Sequence, residues 1–505
     1  MHVVVRTRGR RIGSDWIRAA LVATSAMVAM GMAGACLPVI AREHPTSAAP
    51  AVAARDAAIR RWVRYPPVPA RLSPSAELGR QLFFDAALSA SGRMSCASCH
   101  DPAHAYGPPD GRAVQPGGKD RRHAGTRAVP SLRYLDNTPL FTLNYFIPGS
   151  EDAEYEGPTG GFDRDGAAAS RRQQAAGPLL DPDEMANATP AAVVAALRGG
   201  LFARRFERVF GADVFQHPQQ AFDDIGAALE AFQAEDPSFH PYTSKFDAVM
   251  SGNARFTPQE LRGYALFNDP KKGNCASCHI DVPGPGGRPA VFTDYGYEAL
   301  GVPRNPAIPA NRDPRYHDLG LCGPRRRDLA TQTQYCGMFK TPTLRNVATR
   351  RVFFHNGYFH SLDAVMHFYV ERDTDPRKWY PVVGGKLQKF DDLPPRYRAN
   401  VDRSDAPMDR APGDKPALDT LEIADVIAFL KTLDDGYSAK AGGAPQETGC
   451  LRAGTVPRCV FIEGRATKPC CNTRSRSSFR HSSSWPCRNW QSAVRSGARC
   501  SPRCR

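Results

Sequence analysis

Cys96-Ala97-Ser98-Cys99-His100 and Cys275-Ala276-Ser277-Cys278-His279 are one pentapeptide written twice in a chain of 505 residues. In C-x-x-C-H the two thiols can form thioethers to the vinyl groups of one haem, and the adjacent His is placed to ligate its iron. A redox C-x-x-C pair, or half of a zinc site followed by a chance His, is the competing reading of a single copy. Two copies, each preceded by similar sequence, favour two covalently bound c-type haems. Cys96, Cys99, Cys275 and Cys278 are then the attachment points, and His100 and His279 the metal ligands.

The surroundings of the two motifs repeat as well. Ser73-Pro74 supplies an N-cap and a first-turn proline for a helix from Ala76 to Phe84 that leads to the first motif. Thr257-Pro258-Gln259-Glu260 is a capping box, and the helix through Leu261, Leu266 and Phe267 leads to the second. Gly79-Arg80-Gln81-Leu82-Phe83 matches Gly263-Tyr264-Ala265-Leu266-Phe267. Beyond the motifs, Asp224 to Phe232 resembles Glu422 to Leu430, both amphipathic at helical spacing with apolar faces suited to a core. The expected fold is mainly α: two cytochrome c-type haem domains related by internal duplication, with long loops. The first covers 71–250 and the second 251–437, with the boundary near Ser251-Gly252-Asn253. The segment from Tyr106 to Asp183 is rich in Gly and Pro and lacks a helical period, a length of loop that usually carries function. Cys322 and Cys336 read as a disulfide in a secreted context.

The ends of the chain are different in kind. Arg6, Arg8, Arg10, Arg11 and Arg18 precede an apolar run from Ala19 to Ala35, and Ala33-Gly34-Ala35 offers small residues for cleavage. Residues 1–36 therefore read as a signal peptide. An uncleaved anchor helix is the alternative, although the run is short for a span; lipidation at Cys36 lacks the Leu expected before it. Residues 37–70 read as a linker. The formal charge of +15 suggests nucleic acid until it is divided: residues 446–505 carry 12 Lys or Arg against 2 acidic residues, which leaves the rest of the chain near +5. No nucleic-acid partner is expected. The basic tail, 438–505, also holds seven of the 14 cysteines and no steady apolar period, and is expected to be disordered; a disulfide knot or a metal module is the other reading. Export together with haem attachment points to the periplasm, with no stable membrane span after signal cleavage.

From about Leu72 to Leu433 the motifs, the repeated architecture and several loops resemble the bacterial dihaem cytochrome c peroxidases, in the MauG-like branch. The most specific stretch is Gln174-Ala175-Ala176-Gly177-Pro178-Leu179-Leu180-Asp181-Pro182-Asp183-Glu184-Met185. The resemblance implies that Glu184 is the acid–base residue of peroxide cleavage at the N-terminal haem. It implies too that Gln174 hydrogen-bonds in that pocket and Pro178 packs over the open iron face. Splitting O–O needs a proton moved from one oxygen to the other, and a carboxyl with a raised pKa can move it. Glu184 alone would otherwise read as an acid on a solvated turn. Gly337 to Val347 and Phe354-His355-Asn356-Gly357 resemble signature loops of the second domain. Fourteen residues past His355, electron-transferring members place Met and MauG-like members Tyr; here the residue is Tyr369. Phenolate favours ferric iron. Met366, one turn away, is the rival ligand, and a core aromatic is the plain alternative for Tyr369.

The same comparison exposes departures. Reductively activated members carry a loop His as sixth ligand of the first haem; the matching segment Val114-Gln115-Pro116-Gly117-Gly118-Lys119 has Gly118 there. An open, five-coordinate first haem is expected. His123, a few residues on, would be a shifted ligand, and His104, one turn after His100, is poorly placed. Arg164, in Phe162-Asp163-Arg164-Asp165-Gly166, stands at the family's Trp position. A guanidinium cannot relay an electron hole and is suited to haem propionates. Transfer between haems would then be direct or pass through aromatics such as Tyr134. Ala128 stands where the family's interdomain calcium uses Asn, so calcium would rest on backbone carbonyls.

The expected function is a periplasmic peroxidase that reduces hydrogen peroxide at the first haem. The second, with His279 and Tyr369, stores or relays oxidising equivalents drawn from a redox protein donor or an oxidisable protein substrate. The alternatives are a reductively activated cytochrome c peroxidase fed by a small redox protein, and a non-enzymatic dihaem electron-transfer cytochrome.

Overall fold

In the computed structural model, which describes residues 63–144 and 157–438, each C-x-x-C-H follows the first helix of one of two crossed helix pairs. The expected signal peptide, most of the linker and all but the first residue of the tail lie outside the described residues. α1 (Pro74–Phe83) starts where Ser73 Oγ accepts from Ala76 N at 3.1 Å, and it crosses α5 (Pro218–Glu235). α7 (Pro258–Asn268) starts in the Thr257/Glu260 capping box and crosses α9 (Thr420–Lys431), itself boxed by Asp419 and Glu422.

Glycine makes both crossings close. A Cβ on Gly79 would lie 1.8 Å from Ala228 O and 3.0 Å from Phe232 Cβ; on Gly263 it would lie 1.9 Å from Asp425 O and 3.0 Å from Phe429 Cβ. The two helix backbones therefore touch at the same relative position in each pair, which is the physical content of the matched Gly-x-x-x-Phe sequences.

Around α1 and α5 the core gathers Leu78, Leu82, Phe83, Leu229, Phe232 and Phe239. Around α7 and α9 it gathers Tyr264, Phe267, Phe292, Val426 and Phe429. α2 (Arg171–Leu180) and α3 (Pro190–Arg198) pack on α5, α4 (Ala203–Phe210) on α1, and α8 (Leu362–Glu371) on α9. α6 (Lys245–Met250) precedes the expected domain boundary, yet Phe246, Val249 and Met250 belong to the second core and Asp247 Oδ2 pairs with Arg345 Nη1 at 2.6 Å.

The described strands are three two-residue antiparallel ladders: β1 (Pro116–Gly117) with β2 (His123–Ala124), β3 (Tyr297–Glu298) with β4 (Phe339–Lys340), and β5 (Val382–Val383) with β6 (Lys386–Leu387). The architecture is thus mostly helical with long loops. The stretch from Tyr106 to Asp183, expected to lack a helical period, contains one α-helix, α2. Ser170 Oγ caps it by accepting from Gln173 N at 3.2 Å, and Pro178 sits in its last turn, where the ring leaves the carbonyl four residues back without its N–H donor. Cys322 and Cys336 are disulfide-bonded, as their spacing in a secreted chain suggested. No described helix is long and apolar enough to cross a membrane.

Candidate active site

Each C-x-x-C opens a short 3-10 turn, Cys96–Ser98 and Cys275–Ser277. Ser98 Oγ closes the first by accepting from Ser95 N at 3.0 Å; the second follows Asn274, which takes the left-handed conformation (φ 48°). His100 Nδ1 lies 3.0 Å from Tyr106 O, and His279 Nδ1 lies 2.9 Å from Phe292 O. In each case Nδ1–H donates to the carbonyl, which fixes the tautomer and leaves the Nε2 lone pair for a metal. Burial pushes both imidazoles down to about 4, so they are neutral at pH 7.

The four cysteines carry no disulfide, and burial pushes all four thiols up to about 12. Reactive C-x-x-C pairs have depressed pKa values and zinc needs thiolates. Among the described residues no group of three or more His, Cys, Asp or Glu gathers as a metal site. The redox-pair and zinc readings therefore have no support here, while protonated thiols beside a neutral His fit covalent haem.

The residues expected on the far side of the first haem come together. α2 carries Gln174 and Pro178 four residues apart, hence on one face, and Gln174 hydrogen-bonds the Asp163 carboxyl. The chain then folds back, with Glu184 N donating to Asp181 O at 3.0 Å and Met185 N to Pro178 O at 3.1 Å. Gly118 N donates to Glu184 O at 2.8 Å, and a Cβ on Gly117 would lie 1.9 Å from Asp183 O. The glycine loop is thus packed directly on the backbone of the acidic turn. Glu184 is near enough to Cys96 and Cys99 to push both thiols up.

Burial and then Asp181 push the Glu184 carboxyl up to about 7, opposed by Arg325, whose Nη2 lies 3.6 Å from Oε1. The Glu184 side chain keeps 38% of its area open. Arg325 also pairs with Asp181. The rival ligands are otherwise engaged. His123 is 56% exposed and its Nδ1 lies 3.3 Å from Asp183 Oδ1; His104 Nδ1 lies 2.8 Å from Asp101 Oδ2.

In the other half, Ser361 caps α8 by accepting from Ala364 N at 3.1 Å, and α8 carries Met366 and Tyr369 three residues apart. Both line a cavity together with Cys275, Cys278 and His279. Tyr369 makes no hydrogen bond through its phenol oxygen among the described residues; burial, then Cys278 and Cys275, push its pKa up. Met366 lies in the hydrophobic core at 6% exposure. His355, of the Phe354-His355-Asn356-Gly357 stretch, stacks on Phe339 with ring centres 3.7 Å apart.

The same cavity reaches Arg164, Arg350, Tyr134 and Gln174. Arg164 Nε donates to Ala128 O at 2.9 Å and Arg350 Nη2 to Val129 O at 3.0 Å; neither has a carboxylate partner among the described residues. Burial pulls Arg164 down to about 9 and Arg350 to about 10. Both stay charged at pH 7, and buried cations without counter-ions are costly. Haem propionates are carboxylates of the kind such a place fits. Arg127 differs: it pairs with Asp318 at 2.6 Å and with Asp165 at 2.8 Å. Sequence reasoning missed Arg127, Arg325 and Arg350, which carry no motif or spacing that could have singled them out.

The sequence model of di-haem cytochrome c peroxidases matches residues 73–255. The methylamine utilization protein MauG of Paracoccus denitrificans is 38% identical over 303 residues, which cover 58% of this chain and 73% of that protein. The chain belongs to the MauG-like di-haem cytochrome c peroxidase family. Cytochrome c551 peroxidase of Nitrosomonas europaea is similar too, 30% identical over 288 residues, 56% of this chain and 68% of that one. The crystal structure of the diheme peroxidase BthA from Burkholderia thailandensis matches with a TM-score of 0.64 and 39% identity, over 74% of this chain and 90% of that one. As a di-haem cytochrome c peroxidase, the protein is an oxidoreductase of the dihaem peroxidase type that carries two c-type haems.

Proposed function

We propose that the protein reduces hydrogen peroxide at its N-terminal haem and uses the C-terminal haem to store or relay oxidising equivalents. Cys96 and Cys99, and Cys275 and Cys278, would hold the two haems covalently, with His100 as ligand to the first iron and His279 and Tyr369, which line one cavity, as ligands to the second. The haems, when bound, would supply iron that binds peroxide and electrons that reduce it, to be replaced from the donor. Glu184, through a carboxylate oxygen, accepts the proton of the near peroxide oxygen and returns it to the departing one, which leaves as water. Gln174 orients the peroxide, Pro178 limits water on the same face, and Arg164 and Arg350 neutralise propionates. The observation that carries this reading is the placement of Glu184: its turn is packed on the Gly117-Gly118 backbone, with Gly118 N donating to Glu184 O at 2.8 Å, and it is near enough to Cys96 and Cys99 to raise both thiols.

The two domains are read as an internal duplication because the Gly79 and Gly263 crossings coincide in kind and distance. Their boundary falls ahead of α6, whose apolar side belongs to the second core. Electrons come from a redox protein donor or an oxidisable protein substrate, in the periplasm. Calcium is left out of this reading, because Ala128 O already accepts from a cationic guanidinium.

The test is low-temperature electron paramagnetic resonance of the untreated ferric holoprotein. One high-spin beside one low-spin signal is expected. Two low-spin signals would overturn the open first haem and leave reductive activation or simple electron transfer.

A further inference from the structure

Tyr134 borders the cavity that carries Cys275, Cys278 and His279. Its ring meets that of Tyr242 edge-on, with centroids 4.9 Å apart at 63°, and Tyr242 meets Tyr65 at 5.7 Å and 65°. Tyr134 is 1% exposed and Tyr65 37%. Three phenols therefore run ring to ring from the cavity to the surface.

Charge and proton partners are arranged along the row. The Arg345 guanidinium lies 5.2 Å from the ring centres of both Tyr134 and Tyr242. A cation held there disfavours a positively charged phenol radical, so an electron can leave these rings only together with a proton. A base is in place for the innermost ring: Tyr134 Oη donates to Asp435 Oδ1 at 2.6 Å. Asp435 is fixed by Arg133 Nη1 at 2.9 Å and Asn346 Nδ2 at 2.6 Å, both on its other oxygen. Packing alone would be served by phenylalanine at Tyr242, while Tyr65 Oη is held by the Asp247 carbonyl at 3.3 Å and Asp247 Oδ1 at 3.4 Å.

We propose that Tyr134, Tyr242 and Tyr65 form a branch that carries oxidising equivalents from the haem cavity to the surface at Tyr65, where a small phenol is oxidised. The proposal rests on the peroxidase reading, which supplies the oxidant. Hydrogen peroxide takes two electrons and two protons to give two waters. Tyr134 gives one electron towards the haem cavity while its O–H proton passes to Asp435. It then regains an electron from Tyr242 and its proton from Asp435. Tyr242 is restored in turn by Tyr65: the half-buried Tyr242 releases its O–H proton to water, Tyr65 passes its own to Asp247 Oδ1, 3.4 Å from its Oη, and each takes a proton back as its electron is replaced. The phenol gives one electron and one proton to the Tyr65 radical. Two phenols serve each peroxide, so that two phenoxyl radicals and two waters result. Exchange between phenols is close to thermoneutral, which is why the terminal donor is assigned to that class.

The experiment treats the haem-loaded full chain with stoichiometric hydrogen peroxide and the spin trap 2-methyl-2-nitrosopropane, without a donor. Peroxide loss is followed in parallel, and the trapped residue is located by peptide mass spectrometry. The expected result is an adduct on Tyr65 in the parent protein and its loss in Tyr242→Phe, which keeps the packed ring, with peroxide loss unchanged. Oxidation of guaiacol should fall in the same variant. Peroxide loss with no adduct on Tyr65, or an undiminished adduct in Tyr242→Phe, overturns the branch and leaves the peroxidase reading standing. Failure to consume peroxide overturns that reading and the branch with it.

Discussion

The two halves hold their C-x-x-C-H histidines in the same way and differ in what they place nearby. On the shared side, both have a glycine-tight helix crossing and a His Nδ1 about 3 Å from a loop carbonyl. On the other side, the first half offers glycine backbone at Gly117 and Gly118 and a carboxyl at Glu184, whereas the second offers Met366 and Tyr369 from one face of α8. On the function proposed above, the shared scaffold would set where an iron sits, and a loop or a single helix would set what that iron can do. An open face with a proton carrier suits peroxide; a face closed by a phenol suits storage of charge.

The largest expected effect breaks the first half only. Glu184→Gln should lower kcat/KM for peroxide about 10²–10⁴-fold while leaving the low-spin signal of the second haem intact. In the parent protein the rate should rise with pH through about 7, because the carboxyl must be ionised to take the proton and burial keeps it protonated below that point. The variant's profile should lack this limb. A variant with the parent rate would move the chemistry away from Glu184.

The likeness itself can be tested next. Gly79→Ala and Gly263→Ala each drive a methyl into a helix carbonyl, and overpacking of this kind costs about 1–3 kcal/mol or more. Urea melts of the holoprotein should show similar losses for the two. A large inequality would break the correspondence between the crossings. Sharper still in its specificity is the second distal face. Tyr369→Phe should alter the low-spin signal and raise the potential of the second haem, whereas Met366→Leu should leave both alone and cost less than about 1.5 kcal/mol. A spectral change in Met366→Leu would exchange the two assignments. The smallest effect is expected for Arg164→Gln. Removing a buried cation should shift haem potentials downwards in spectroelectrochemical titration without changing the rate order of the variants above.

Much of this was legible in the sequence because it is local. The C-x-x-C-H motifs, the Ser73 and Thr257 caps, and the matched Gly79 and Gly263 helices each declare themselves within a dozen residues. Tyr369 and Glu184 are candidates through resemblance alone, since neither a lone Tyr nor a lone Glu has a signature of its own. α2 was not legible, because Gly177-Pro178 looks like a break and only the Ser170 cap and packing on α5 make a helix there. The ion pairs around the cavity were invisible for another reason. Arg127 meets Asp165 and Asp318 across 38 and 191 residues, and Arg325 meets Asp181 across 144, so no window of sequence contains both partners.

The bond between Cys322 and Cys336 closes a loop that contains Arg325, the cation that sits against Asp181 and Glu184. Forming that bond needs an oxidant, while on the proposed covalent attachment Cys96, Cys99, Cys275 and Cys278 would have to reach haem as thiols, and cysteines with two residues between them oxidise readily. One chain thus asks for opposite treatment of its sulfurs. Its biogenesis has an order: the two C-x-x-C pairs have to be kept reduced or consumed by haem while the distant pair is joined. A host that supplies only oxidation, or only reduction, should yield a chain that is correct in sequence and wrong in chemistry.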